Sequence, residues 1–146
     1  MPTEKDTWDL TQMFENTEKW RDGLEKAKTL TQTLAAMQGT ITKSADNLYN
    51  ALQTNDQLGE TLTALFVYAK MYFDQNMSNG EAKDLYETAD SVYTALAEQI
   101  AFLEPELLEL TPEIFADYIA QKPELKLYQF LMEGLFEQKE HIFNQQ

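Results

Sequence analysis

Cysteine is absent from this 146-residue chain, which excludes disulfides, thiolate metal sites and cysteine nucleophiles. Histidine is nearly absent, His141 being the single one. A zinc-binding helix of the His-Glu-x-x-His kind needs two histidines one turn apart. A di-iron carboxylate site needs two Glu-x-x-His units, and the residue three before His141 is Gln138. Nor does one histidine support a Ser-His-Asp arrangement. The five glycines are scattered singly, so no glycine-rich phosphate loop exists. With only four prolines beside them, the chain lacks the turn residues of an all-β fold.

Basic residues are also scarce: 11 Lys and Arg stand against 25 Asp and Glu, a net charge of −14. Residues 1–50 carry 6 basic and 8 acidic groups, net −2, and residues 51–146 carry 5 and 17, net −12. Such a surface repels phosphate backbones and anionic headgroups, so nucleic acid and membranes are poor partners. No stretch is apolar enough for a bilayer span, and no signal-peptide pattern opens the chain. A cytoplasmic location is the expectation.

What is present is enough apolar material for a core, 43% of the residues with 8 Phe, 7 Tyr and 2 Trp. The length suits one domain over 1–146. Residues 1–16 read as an extended lead-in, pinned by Trp8, Leu10, Met13 and Phe14. From Thr17 the period becomes helical. Trp20, Leu24, Ala27, Leu30, Leu34 and Met37 form one stripe, with Asn16 as N-cap and Gly39 as the C′ residue. Gly23 works against this helix.

Ser44 starts a short helix carrying Leu48 and Leu52. Thr54 with Gln57 resembles a capping box opening a second long helix through Leu58, Leu62, Leu65, Phe66, Ala69 and Tyr72. Residues 74–80, DQNMSNG, read as a turn and lack the ligand spacing of a calcium loop. A third long helix is predicted from about Glu81 to Leu103, along Leu85, Ala89, Val92, Leu96 and Ile100. The short link makes it an antiparallel hairpin with the second.

Pro105 interrupts the pattern. Glu104, Glu106 and Glu109 around it read as solvated charge at a helix N-terminus. Thr111-Pro112-Glu113 signals the start of a helix ending near Gln121. Lys122-Pro123-Glu124 restarts the chain into a last helix with Leu127, Phe130, Leu131, Gly134 and Leu135 as its stripe. The fold expected is all-α, an antiparallel bundle of three to four long helices with shorter ones. Tyr68, Tyr72, Phe73, Tyr86 and Tyr93 follow the central hairpin, as an aromatic core seam or as the wall of a peptide groove. His141, a cation in a last helical turn, suits the macrodipole better than a ligand role. No catalytic, cofactor-binding or metal-binding residue is predicted.

Several stretches together resemble the amino-terminal region of oligoendopeptidase F-type zinc metallopeptidases, relatives of thimet oligopeptidase. They are TWDLTQMF, WRDGLEKAKTL, VYAKMYFDQNMSN, AFLEPELLEL and YQFLMEGLFEQKEHIF, in the family's order and over nearly the whole chain. Departures fall in the last helix, at Glu137, where the family often has Arg, and at Phe143-Asn144, where it has Leu-Ser. The resemblance implies a larger helical peptidase of which this chain is a fragment. In it these helices form a wall and lid of a substrate channel for short peptides. The zinc, its His-Glu-x-x-His helix and its downstream glutamate ligand lie in the missing catalytic part, so no catalytic role is carried over to any residue here. The partners expected are the rest of the parent peptidase and its peptide substrate, with self-association through the face left exposed. An independent all-α protein-interaction module is the alternative.

Overall fold

The computed structural model describes residues 14, 16–75 and 80–144, with side chains through His141. Most of the expected lead-in, including Trp8, Leu10 and Met13, and the centre of the 74–80 turn lie outside these residues. Among the described residues all regular structure is helical. The elements are α1 (Thr17–Ala35), α2 (Ala45–Gln75), α3 (Gly80–Gln99), α4 (Leu103–Leu107), α5 (Pro112–Gln121), a 3₁₀ segment (Pro123–Tyr128) and α6 (Gln129–Asn144). They cluster into two compact units: residues 1–32 with 56–99, and 33–55 with 100–146.

The first unit holds most of α1, the second half of α2, and α3. Asn16 starts α1 as expected, its Oδ1 accepting from Lys19 N at 2.9 Å, which satisfies a backbone donor the helix cannot. The predicted stripe faces inward: Trp20 and Ala27 are fully buried and Leu24 nearly so. The Trp20 indole N–H donates to the Leu65 carbonyl of α2 at 2.9 Å, so the largest apolar side chain is also oriented by a polar contact. Gly23 acquires a reason here. A Cβ on it would lie 2.9 Å from both Leu65 Cδ2 and Phe14 Cε1, and glycine keeps that crossing close. Phe14 meets the Tyr68 ring edge-on at 5.4 Å.

The α2–α3 hairpin is confirmed by its ring contacts. Phe73 packs on Tyr86, and Phe66, two turns earlier in α2, contacts Tyr93, two turns later in α3. Pairs that step in opposite directions require antiparallel helices. Leu58, Leu65, Ala69, Ala82, Leu85, Ala89 and Leu96 are buried, in keeping with the 3.6-residue period.

Several boundaries differ from expectation: α1 ends at Ala35, so Gly39 is not its C′ residue, and the last helix is preceded by the 3₁₀ segment Pro123–Tyr128. α2 is one helix of 31 residues, not a short helix followed by a long one. Ser44 does cap its start, Oγ accepting from Asn47 N at 3.0 Å. Thr54, however, caps nothing: its hydroxyl donates back to the Asn50 carbonyl at 2.8 Å from inside the helix. With Ala51, Leu52 and Leu58 all buried, interrupting the helix there would leave backbone donors unpaired against the core. Conversely, α3 ends at Gln99, and Leu103 begins the separate α4. Pro105 sits in the first turn of α4, where its missing N–H would have had no partner in the helix.

The second unit centres on a group read from sequence as solvated. Glu106 is 8% exposed, and its carboxylate accepts from Gly39 N at 2.8 Å and Ile41 N at 3.0 Å. The loop between α1 and α2 is thereby bound to α4. Gly39 has φ +89°, a conformation L side chains rarely adopt, which presents its N–H to the carboxylate. The Tyr118 hydroxyl of α5 donates to the Thr42 carbonyl at 2.7 Å, a second tie to the same loop. Thr111 caps α5 as expected, its Oγ1 accepting from Ile114 N at 3.2 Å. Lys139 of α6 donates to the Leu108 carbonyl at 2.6 Å, beside the end of α4.

Glu106→Ala would leave two N–H donors without their acceptor and should destabilise the protein by about 2–4 kcal/mol. Glu106→Gln, which keeps one acceptor oxygen, should cost less. Urea unfolding followed by circular dichroism checks both, and equal stability of Glu106→Ala and wild type would contradict the structural role. Trp20→Phe should cost about 1–2 kcal/mol in the same assay, the indole hydrogen bond plus part of its volume.

Candidate functional site

Two exposed apolar features stand out, one in each unit. In the first, an open cleft of about 350 Å³ runs along the hairpin, lined by Leu62, Thr63, Phe66, Val67, Asp90 and Tyr93. The expected aromatic seam is split by depth. Tyr68 is 4% exposed and belongs to the core, whereas Tyr93 is 52% exposed and forms the rim of the cleft. Phe66 links the two helices beneath it, contacting Tyr86 at 5.5 Å and Tyr93 at 6.4 Å.

At the other end of this seam Tyr72 stacks on Tyr68 at 6.0 Å and donates to Glu81 Oε1 at 3.2 Å. Burial pushes the Tyr68 hydroxyl above the usual tyrosine value, and the neighbouring Tyr72 and Glu81 push it further. Tyr72 is raised too, by burial first, then by its hydrogen bond to Glu81 and the charge on that carboxylate. These hydroxyls are neutral donors across the physiological range. They are poor proton acceptors.

In the second unit the last helix reverses part of its predicted orientation. Leu125, Tyr128, Met132 and Leu135 are buried, and Leu127, Phe130 and Leu131 are 73%, 91% and 45% exposed. The expected stripe is therefore buried at Leu135 and open at the other large side chains. Both sets keep helical spacing, so α6 and the segment leading into it are apolar on two faces, of which the described residues cover one. Gly134 continues the open face, and an added Cβ there would meet nothing within 4 Å. It opens a shallow hollow shared with Glu137, Gln138, Glu140 and His141.

His141 is exposed at the end of α6. Among the described residues no group of three or more His, Asp or Glu side chains is placed to hold a metal ion. Glu104 and Glu109 are exposed, as expected, and Glu106 is occupied by the loop. Its role had a legible signal: it stands with Leu103, Leu107 and Leu110 at helical spacing, where a carboxylate faces inward. On the surface near α5, Lys122 pairs with Asp46 at 3.3 Å and lies 4.9 Å over the Tyr49 ring. Among the described residues no helix is long and apolar enough to cross a membrane.

No protein-family model matches the chain. Individual relatives do. Oligopeptidase PepF of Bacillus subtilis is 33% identical over 141 residues, across 97% of this chain and 21% of its own length. The chromosomal oligoendopeptidase F of Lactococcus lactis subsp. cremoris is 34% identical, across 95% of this chain and 23% of its own. The chain is homologous to the amino-terminal part of oligoendopeptidase F. The fold agrees. The crystal structure of oligoendopeptidase F from Enterococcus faecium superposes with a TM-score of 0.74 at 20% identity, over 84% of this chain and 24% of the peptidase. A putative peptidase from Chlamydophila abortus gives 0.75 at 27% identity, over 90% and 22%. The chain thus spans less than a quarter of the length of these oligoendopeptidase F relatives.

The raised tyrosines lead to a pH dependence. A folded-state value above the unfolded one, ordinarily about 10, favours the protonated hydroxyl. The stability contributed is complete below that pH and is lost as pH rises through the folded-state values. Tyrosinate absorbance should show a late-titrating component, smaller in Tyr72→Phe, whose alkaline loss of stability should also be shallower. A Tyr72→Phe titration superimposable on wild type, after allowing for one missing tyrosine, would contradict the assignment.

Proposed function

We propose that this chain is the non-catalytic amino-terminal helical domain of an oligoendopeptidase F-like zinc metalloendopeptidase that cleaves short peptides. The observation carrying this reading is the pattern of coverage: relatives named as oligopeptidases match nearly all of this chain with less than a quarter of their own length. The chain has a single histidine, so a His-Glu-x-x-His helix must come from the rest of the polypeptide. Zinc and catalysis belong there, and no residue described above acts as catalyst, cofactor ligand or metal ligand.

In this reading the helices contribute one wall and lid of the substrate channel, and the partners are the rest of the peptidase and the peptide within it. The exposed aromatic cleft and the acidic second half of the sequence suit a surface that meets short peptides from one side. Lack of cysteine and high net charge suit a cytoplasmic enzyme.

Isothermal titration of the isolated chain with zinc should show no stoichiometric site tighter than the micromolar range, and a quenched fluorescent peptide should remain uncut. Tight one-to-one zinc binding, or cleavage that survives repurification, would overturn the reading.

A further inference from the structure

We propose that the face formed by Leu127, Phe130, Leu131 and Gly134 is where this domain docks against the remaining, longer part of the peptidase polypeptide. The inference rests on the reading above and names the surface it requires.

Three observations meet on this face. Leu127 and Phe130 are the most exposed large apolar side chains among the described residues, at 73% and 91%, in a chain otherwise rich in acidic surface. They are not scattered: with Leu131 and Gly134 they follow a helical i, i+3, i+4, i+7 pattern, the spacing by which a helix presents one continuous stripe to a partner. Single exposed apolar residues need no explanation, whereas a contiguous apolar face marks an interaction surface.

Gly134 is the second observation. Glycine inside a helix weakens it relative to alanine, and among the described residues an added Cβ there would meet nothing within 4 Å, as is also true of Gly59 in α2, which lies off this face. The contrast is Gly23, where Leu65 and Phe14 fill the space. The shallow hollow at Gly134, bordered by Glu137, Gln138, Glu140 and His141, adjoins the stripe one turn along the helix from Phe130 and Leu131, and admits a side chain from a partner that approaches closely, as in ridge-into-groove packing. The third observation is length. The relatives carry more than three times the span of this chain outside the matched region, and on the reading above that remaining polypeptide is the occupant this face would meet. The opposite face of α6 is already used by Met132 and Leu135 within the second unit, which holds the open face in a fixed orientation.

The test compares one set of variants in two settings. The first is the isolated chain. The second is a full-length chimera in which this chain replaces the aligned 21% of Bacillus subtilis PepF. In the isolated chain, Leu127→Glu with Phe130→Glu should leave the melting temperature within about 2 °C of wild type, as exposed positions do, and Gly134→Gln should raise it by about 2–3 °C. In the chimera the same changes should reverse in consequence. Each should lower the temperature at which the helical segment unfolds, and hydrogen exchange over residues 123–144 should lose the protection gained there by the wild-type sequence.

A wild-type chimera that fails to fold, or whose helical segment melts as it does alone, would count against the domain reading itself. A wild-type chimera that is coupled but indifferent to all three substitutions would leave that reading standing and sink the docking face. Sedimentation of the isolated chain as a dimer that the double variant dissociates would make a second copy the occupant and overturn the proposal. Unfolding of the isolated chain by the double variant would show the face to be internal, with the same result.

Discussion

A buried carboxylate governs the second compact unit. Glu106 accepts two backbone N–H groups, those of Gly39 and Ile41, from the loop that joins α1 to α2. A loop of this kind normally stays at the surface because its polar backbone cannot be satisfied inside. Here Ile41 is fully buried, and the carboxylate supplies the acceptors that make that burial tolerable. The positive φ of Gly39 presents its N–H to the acid, the Tyr118–Thr42 hydrogen bond holds the same loop, and Leu103 and Leu107 are buried beside the acid in α4.

The first unit relies on shape more than on polar pairing. Trp20 and Gly23 divide the work of bringing α1 against α2: one fills the interface and the other lets the backbones come together. The aromatic ladder of α2 and α3 then grades from the buried Tyr68 to the exposed Tyr93. That gradation leaves an open apolar cleft on the hairpin, and it separates the tyrosine that belongs to the core from the one that stands exposed at the rim.

The last helix carries an exposed apolar stripe at Phe130 and Leu131, continued by Leu127 just before it. The relatives named as oligoendopeptidase F are several times longer, and a domain within such a chain has surfaces that meet the rest of it. Those surfaces are written in the same residue alphabet as a core. Leu127, Phe130 and Leu131 therefore read as interior positions in the sequence although they stand exposed among the described residues.

Sequence alone determined the helical class, the stripes of α1 and α3, and the caps at Asn16, Ser44 and Thr111. Each of these depends on neighbours within about one helical turn, and residue order fixes such neighbours. It also carried the family, because five short stretches kept their order along the chain. Tertiary structure decided the rest. It ran α2 unbroken through Thr54, because burial on both sides of that residue outweighs a local capping signal. It turned Glu106 inward, because the two donors that stabilise it come from a loop more than sixty residues away in sequence. It also chose which of two equally periodic apolar faces of α6 to bury. Periodicity specifies that a face is apolar, and only the packing of distant segments specifies which face meets protein and which is left open.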